Sequence, residues 1–215
     1  MLKKNLLLSF FLLVPLVIFA DNEDANQANA LINKYFGSAI TLQGDFAQYT
    51  LINNIKKESM EGKFFIEKPN KIRWHYMKPY EQIFLADGIN FWTYDIDLEQ
   101  ATVKPQEEFL ARSRFILFYD NKELMTEFEI AAVSLEEEIY TIILKPLKIN
   151  ESGNEIVLSF VKSTLSEIKL VDSLDQTIVI SIRNLVLNNK IQAKIFDLDL
   201  PLSVDIIGAP LALVK

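Results

Sequence analysis

Apolar positions recur at every second residue through most of this chain, the spacing of half-buried strands, and at every third or fourth residue in only two places. The first is residues 23–39, where Ala28, Leu31, Ile32, Tyr35 and Phe36 fall at i, i+3, i+4, i+7 and i+8 with Asn, Gln and Lys opposite. That spacing predicts an amphipathic helix stopping near Gly37. The second, residues 109–119, sets Phe109, Leu110, Phe115, Ile116, Phe118 and Tyr119 on one or two short helices ending near Asp120-Asn121. These are apolar on more sides than a surface helix needs. Elsewhere the pattern predicts strands over 42–55, 59–67, 126–133, 139–146, 155–162, 165–172 and 176–187, with an irregularity near Phe46 and Tyr49. Asn53-Asn54 with Lys56-Lys57-Glu58, Glu136-Glu137-Glu138, Lys162-Ser163 and Ser173-Leu174-Asp175 read as turns.

Residues 62–103 carry the densest signal, including both tryptophans, Trp74 and Trp92, and the single histidine, His75. Phe64 and Ile66 share one parity, Ile72, Trp74 and Tyr76 another, Trp92 and Tyr94 a third. Asp87-Gly88 between apolar runs predicts a two-residue type I′ hairpin, whose central residues both need positive φ. Pro69 and Pro79 have no amide hydrogen to donate, which puts them at strand ends. The outcome is a twisted aromatic ribbon with one face to bury.

Residues 1–20 have the form of a secretory leader: Lys3 and Lys4, an apolar run from Leu6 to Phe19, then Ala20 ahead of a polar segment. Pro15 and the acidic flank make the run a poor membrane span. Residues 21–215 then form one domain. Cleavage after Ala20 removes Lys3 and Lys4, taking the formal charge from −7 to −9, which disfavours nucleic acid and passive adhesion to anionic lipid. With no cysteine, a core rather than disulfides must hold the fold. The absence of a regular crossover helix between strands favours an open, curved antiparallel sheet.

The residues offer little catalytic chemistry. His75 has no second histidine or cysteine to work with, and its parity opposite Trp74 predicts an exposed or edge position. Asp95/Asp97 and Asp197/Asp199 are D-x-D pairs, more often turn chemistry than metal ligands. Six glycines include no phosphate loop. We read a non-enzyme without metal or cofactor. Fifteen Phe, seven Tyr and two Trp exceed what a sandwich of this size needs, which suits an apolar container.

In residues 68–103 the order KPNKIRWHY, P-x-x-Q-I, ADG and FWTYDIDLEQATV resembles the LolA family of periplasmic lipoprotein carriers, and so does a closing F-x-x-x-x-P-x-x-V-D-I built from Phe196, Pro201, Val204, Asp205 and Ile206. Lys68 stands where the family has arginine. The resemblance implies an unclosed half-barrel of about eleven antiparallel strands with a helical lid over an apolar cavity. It implies acylated lipoproteins as cargo, an inner-membrane ABC transporter as donor, an outer-membrane acceptor, the periplasm as location and a monomer. On it, Phe64, Ile66, Ile72, Trp74, Tyr76, Ile83, Leu85, Trp92, Tyr94 and Val103 are expected to line the acyl-chain cavity. Leu31, Tyr35, Phe109, Leu110, Phe115 and Phe118 belong to the lid, and Lys68 latches it. The alternatives are a periplasmic sensor of the same fold that transports nothing, a glycolipid-binding relative, and, less well supported, a secreted hydrolase. The mature chain is expected to start at or near Asp21 in the soluble periplasmic fraction; full-length chain retained by carbonate-washed membranes would contradict this.

Overall fold

The computed structural model describes residues 22–107, 124, 126–147, 155–171 and 176–212. The chain starts with helix α1 (Asn22–Ile32), which widens into a π turn over Asn33–Ser38, one residue past the expected stop at Gly37. It then enters β1 (Thr41–Ile52) and β2 (Ile55–Glu67). Their hairpin is tighter than expected. Asn53 and Asn54 take φ of 50° and 60° and make the whole turn, so Lys56-Lys57-Glu58 lies within β2. Asparagine tolerates this left-handed region better than most residues. The extra residue predicted in β1 appears as register shifts at Gln43/Asp45 and Tyr49/Leu51.

β3 (Lys71–Lys78), β4 (Gln82–Ala86), β5 (Asn90–Asp95) and β6 (Gln100–Pro105) follow as a meander. The β4–β5 connection is a three-residue loop, Asp87-Gly88-Ile89, with positive φ at Gly88 (111°) and not at Asp87. The Asp87 carboxylate replaces the expected type I′ geometry. It accepts the Ile89 and Asn90 amides at 2.9 and 2.7 Å and the Trp92 indole N–H at 3.0 Å. β7 (Phe128–Glu136), β8 (Ile139–Pro146), β9 (Glu155–Val161), β10 (Thr164–Val171) and β11 (Gln176–Leu187) form the second antiparallel run. Glu137-Glu138 and Lys162-Ser163 make two-residue turns with positive φ. The chain then crosses back through a 3-10 turn, Ala193–Phe196, to a short strand β12 (Asp205–Ile207). The expected helices over 109–119, and with them Phe109, Leu110, Phe115 and Phe118, lie outside the described residues.

All twelve described strands join one sheet in the order β12-β6-β5-β4-β3-β2-β1-β11-β10-β9-β8-β7. The neighbours are antiparallel except β12, which runs parallel to β6 and is the strand beyond the eleven expected. The two outermost strands do not pair, so the sheet is unclosed. It is nonetheless strongly curved. β2 and β9 are four strand spacings apart, roughly 19 Å if flat. Tyr35 nevertheless meets Phe160 of β9, ring centroids 5.7 Å apart and planes tilted by 43°, while its own carbonyl is bonded by Lys68 at the end of β2.

The sheet is apolar on both faces around β3–β6. The larger core puts Leu31 and Ile32 of α1, with Tyr35 and Phe36 of the π turn, against Leu42, Phe46, Phe64, Trp74 and, from the other arm, Ile142, Leu158 and Ile180. On the reverse face a smaller core gathers Ile83, Leu85, Tyr94 and Ala101 under Ile191, Phe196 and Val204 of the returning tail. Half-buried Arg73 fastens that tail by donating to the carbonyls of Ile195 (3.1 Å) and Asp197 (3.2 Å), and its pKa is lowered by desolvation. The buried Asn90 amide exchanges two hydrogen bonds with the backbone of Leu211.

Gly62 shows how closely β2 and β3 approach beneath Phe46. A Cβ there would collide with the His75 carbonyl oxygen and lie 2.9 Å from the Phe46 ring. Gly62→Ala must push backbone aside and is expected to lower stability by about 1–3 kcal/mol, as overpacked sites do. Urea titration checks this; an unchanged midpoint would mean the strands part freely.

An aromatic sheet face under a pinned helix

The candidate site is the face covered by α1. On β3 the residues of one parity, Ile72, Trp74 and Tyr76, point to it, and register carries the face outward. Phe64 and Ile66 on β2 sit opposite Trp74 and Ile72, and Phe84 and Ala86 on β4 sit opposite the same two. Directly opposed residues of an antiparallel pair share a face. The rings form a chain across five strands: Phe64–Trp74 at 5.3 Å, Trp74–Phe46 at 4.4 Å, Phe46–Tyr76 at 5.1 Å, Tyr76–Phe84 at 5.8 Å and Phe84–Phe91 at 6.1 Å. Stacked and tilted rings at these separations favour contact beyond area burial alone. Among them the Tyr76 hydroxyl donates to the Gln48 side chain at 3.0 Å, satisfying two polar groups on an otherwise apolar wall.

The helix is held on this wall chiefly through hydrogen bonds to backbone carbonyls. Tyr35 Oη and Lys34 Nζ donate to the Ser163 carbonyl in the β9–β10 turn at 2.9 and 3.1 Å. Tyr140 on β8 donates to the Asp24 carbonyl at 2.7 Å, and its pKa is raised by burial and by the Asp24 carboxylate. At the other end Lys68 Nζ donates to the carbonyls of Tyr35 (3.3 Å) and Phe36 (2.5 Å). A helix leaves its last carbonyls without intrahelical donors. Lys68 fills that need from the β2–β3 turn, whose own position is fixed by Lys68 N donating to Ile40 O at 2.9 Å.

The expected wall residues divide between the two faces. Phe64, Ile66, Ile72 and Trp74 join the core beneath α1, with Tyr76 packed against it. Ile83, Leu85 and Tyr94 belong to the reverse core, with Trp92 packed on it, and Val103 opposes Trp92 and shares that face. These five therefore do not line the same wall as Trp74, which corrects the expectation. The cause is that Ile83-Phe84-Leu85-Ala86 is apolar at every position. A strand buried on both faces carries no alternation from which to read its orientation. Phe46, Phe84 and Phe91, missed by the sequence reading, complete the wall. Leu31 lies in α1 and Tyr35 in the π turn after it, both in the core beneath them.

His75 is less exposed than its parity suggested. It is half-buried on the reverse face, with Nε2 2.8 Å from Glu81 Oε1. Asp95 accepts the Leu98 amide at 3.1 Å, the turn chemistry its D-x-D pattern favoured. Among the described residues no group of three or more His, Asp or Glu is placed to hold a metal, and no helix is long and apolar enough to cross a membrane.

An open, curved sheet with an aromatic wall under a helix pinned at its ends defines a half-barrel binding protein. The profile of the family described as "Outer membrane lipoprotein carrier protein LolA" matches residues 37–199. The chain belongs to that family, whose members are carriers rather than enzymes. It is 28% identical to the outer-membrane lipoprotein carrier protein of Legionella pneumophila (strain Lens) over 195 residues, 91% of this chain and 96% of that one. The carrier of Methylococcus capsulatus (strain Bath) is 31% identical over 201 residues, 92% and 96% of the two chains. In fold the chain is similar to an uncharacterized conserved protein from Thermus thermophilus, with a TM-score of 0.54 at 10% identity over 85% of this chain and 98% of the other.

The division into two faces is directly testable. Phe84→Glu places a charge on the helix-covered wall and is expected to reduce binding of a hydrophobic dye by about tenfold or more, since an unpaired buried charge costs several kcal/mol. Trp92→Phe, on the reverse face, should leave dye binding unchanged. Equal losses from both would mean that the two faces do not differ in role.

Proposed function

We propose that this chain carries lipoproteins through the periplasm, sheltering their acyl chains on the helix-covered face and passing them from an inner-membrane ABC transporter to an outer-membrane acceptor. The observation that carries the reading is the aromatic wall from Phe64 to Phe91 under a helix pinned at one end by Tyr140 on the Asp24 carbonyl and at the other by Lys68 on the Tyr35 and Phe36 carbonyls. Burying an acyl chain gains about 0.8 kcal/mol per methylene, so a chain long enough to anchor in a bilayer needs an equally apolar shelter in water. Aromatic and aliphatic side chains supply that shelter without the hydrogen bonds that would select one cargo. Phe64, Ile66, Ile72, Trp74, Tyr76, Phe84 and Phe91 form the wall, α1 and the π turn after it, with Leu31 and Tyr35, are its movable cover, and residues 1–20 act as a cleaved leader. Mass spectrometry of material copurified from a periplasmic extract should find acylated polypeptides. Free lipid alone would favour a lipid-sensing or glycolipid-binding protein.

Lys68 is the latch in this reading. Two charge-assisted bonds to helix carbonyls favour the closed, empty state, each by about 1.5–3 kcal/mol. Lys68→Leu removes both. It is expected to favour the open state, hold acylated cargo longer and slow transfer to the acceptor. Lys68→Arg, with five donors in a planar fork, should transfer as fast as the parent or faster. Transfer rates of the three proteins measure this, and a leucine variant that releases as quickly as the parent removes the latch from the mechanism.

A further inference from the structure

The ends of the strands farthest from Lys68 carry a feature that cargo shelter does not use. There the end of β3 with the β3–β4 turn (residues 77–81), the β5–β6 turn with its flanking strand residues (95–100) and the approach to and start of β12 (199–205) are joined by main-chain hydrogen bonds. Ile96 N donates to Glu81 O at 3.2 Å, Glu99 N to Ile96 O at 3.2 Å, and Asp205 N to Glu99 O at 2.9 Å. Ile96, Leu200 and Val204 anchor these turns by packing into the reverse core. Each segment also leaves at least one large apolar side chain exposed: Met77 is 49% exposed, Tyr80 66%, Leu98 71% and Leu202 108%. Isolated exposed leucines are ordinary, but four large apolar tips on one braced platform are the pattern of an interaction site.

The charges around the tips select the occupant. These segments contain one lysine, Lys78, against six carboxylates, Glu81, Asp95, Asp97, Glu99, Asp199 and Asp205. Lys78 itself lies 3.9 Å from a seventh, Glu61. Such a rim is repelled by anionic bilayers, which attract lysine and arginine instead. It complements a cationic protein surface, where opposite potentials speed encounter and fix orientation.

We propose that this three-turn platform is a docking surface for a protein partner presenting an apolar hollow rimmed by lysine and arginine. The inference rests on the carrier reading, which supplies the partners. Tyr80, Leu98 and Leu202 enter the hollow, and Asp97, Glu99 and Asp205 meet its basic rim. Because the turns are braced, little ordering entropy is lost on docking. The platform lies at the opposite strand ends from Lys68, so a docked partner leaves the helix free to move.

The test measures binding of the full mature chain to the purified transporter, to the purified acceptor, and to vesicles of phosphatidylcholine alone or mixed with phosphatidylglycerol. The double variant Leu98→Glu/Leu202→Glu is expected to weaken binding to at least one of the two proteins by about tenfold or more. Asp97→Lys/Glu99→Lys should weaken the same complex and flatten its salt dependence. Leu135→Glu, an equally exposed leucine on β7 at the far edge of the sheet, should bind as the parent does, and circular dichroism confirms that all variants fold. Platform variants that bind both proteins like the parent overturn the docking surface and leave the carrier reading standing. Parent binding to vesicles, lost in the leucine variant, overturns it in favour of a bilayer. A parent that binds neither protein brings down the carrier reading and this inference with it.

Discussion

A sheet whose central strands are apolar on both faces must be covered twice, and the rest of the molecule follows from that requirement. The reverse face is covered by the returning tail, which is tied along its length by Arg73, by the Asn90–Leu211 exchange and by ladder bonds to β6. The other face is covered by α1, held at a few points near its ends. Distributed bonds make a cover that leaves only when the fold does. Bonds concentrated at the ends can open as a unit while the sheet stays intact, because the sheet's own ladders do not pass through the helix.

This asymmetry sets the two faces apart. Ile83, Leu85 and Tyr94 pack beneath Phe196 and Val204 and contribute to stability. Phe46, Trp74, Tyr76 and Phe84 present a broad aromatic surface whose cover is secured by the ammonium of Lys68 on two helix-end carbonyls. An ammonium is well suited to that place. It neutralises the partial negative charge at a helix C-terminus and satisfies acceptors that burial would otherwise leave to water.

Much of the fold could be read from the sequence where one side of a strand is wet. β8 and β11 start and end where alternation placed them, and the bulges in β1 were signalled by Phe46 and Tyr49 falling out of step. The site was half legible. Trp74 and its neighbours on β2 and β3 were placed together correctly. The continuation onto β4 and β5 was assigned to the wrong parity because Ile83-Phe84-Leu85-Ala86 offers no polar residue to mark a face. Asp87-Gly88 predicted a turn but not its length: the side chain of Asp87 bonds its own downstream amides and lengthens the loop by one residue. The parallel pairing of β12 has no local signal. Its residues are exposed, and it is held by contact with Glu99 and by close approach of Gly208 to the Val103 carbonyl.

Among the described residues the twelve-stranded sheet has two borders with no further strand paired to them, β12 and β7, and an unpaired border can template the addition of another copy. The β12 border is three residues long, too short to hold a stranger's backbone. The β7 border is nine residues long but carries exposed Glu129 and Glu136, with Glu137-Glu138 in the turn beyond. Two copies meeting there would set carboxylate against carboxylate. Short length at one border and like charge at the other thus disfavour chain-on-chain growth of the sheet, so the sheet can stay open without closing into a barrel.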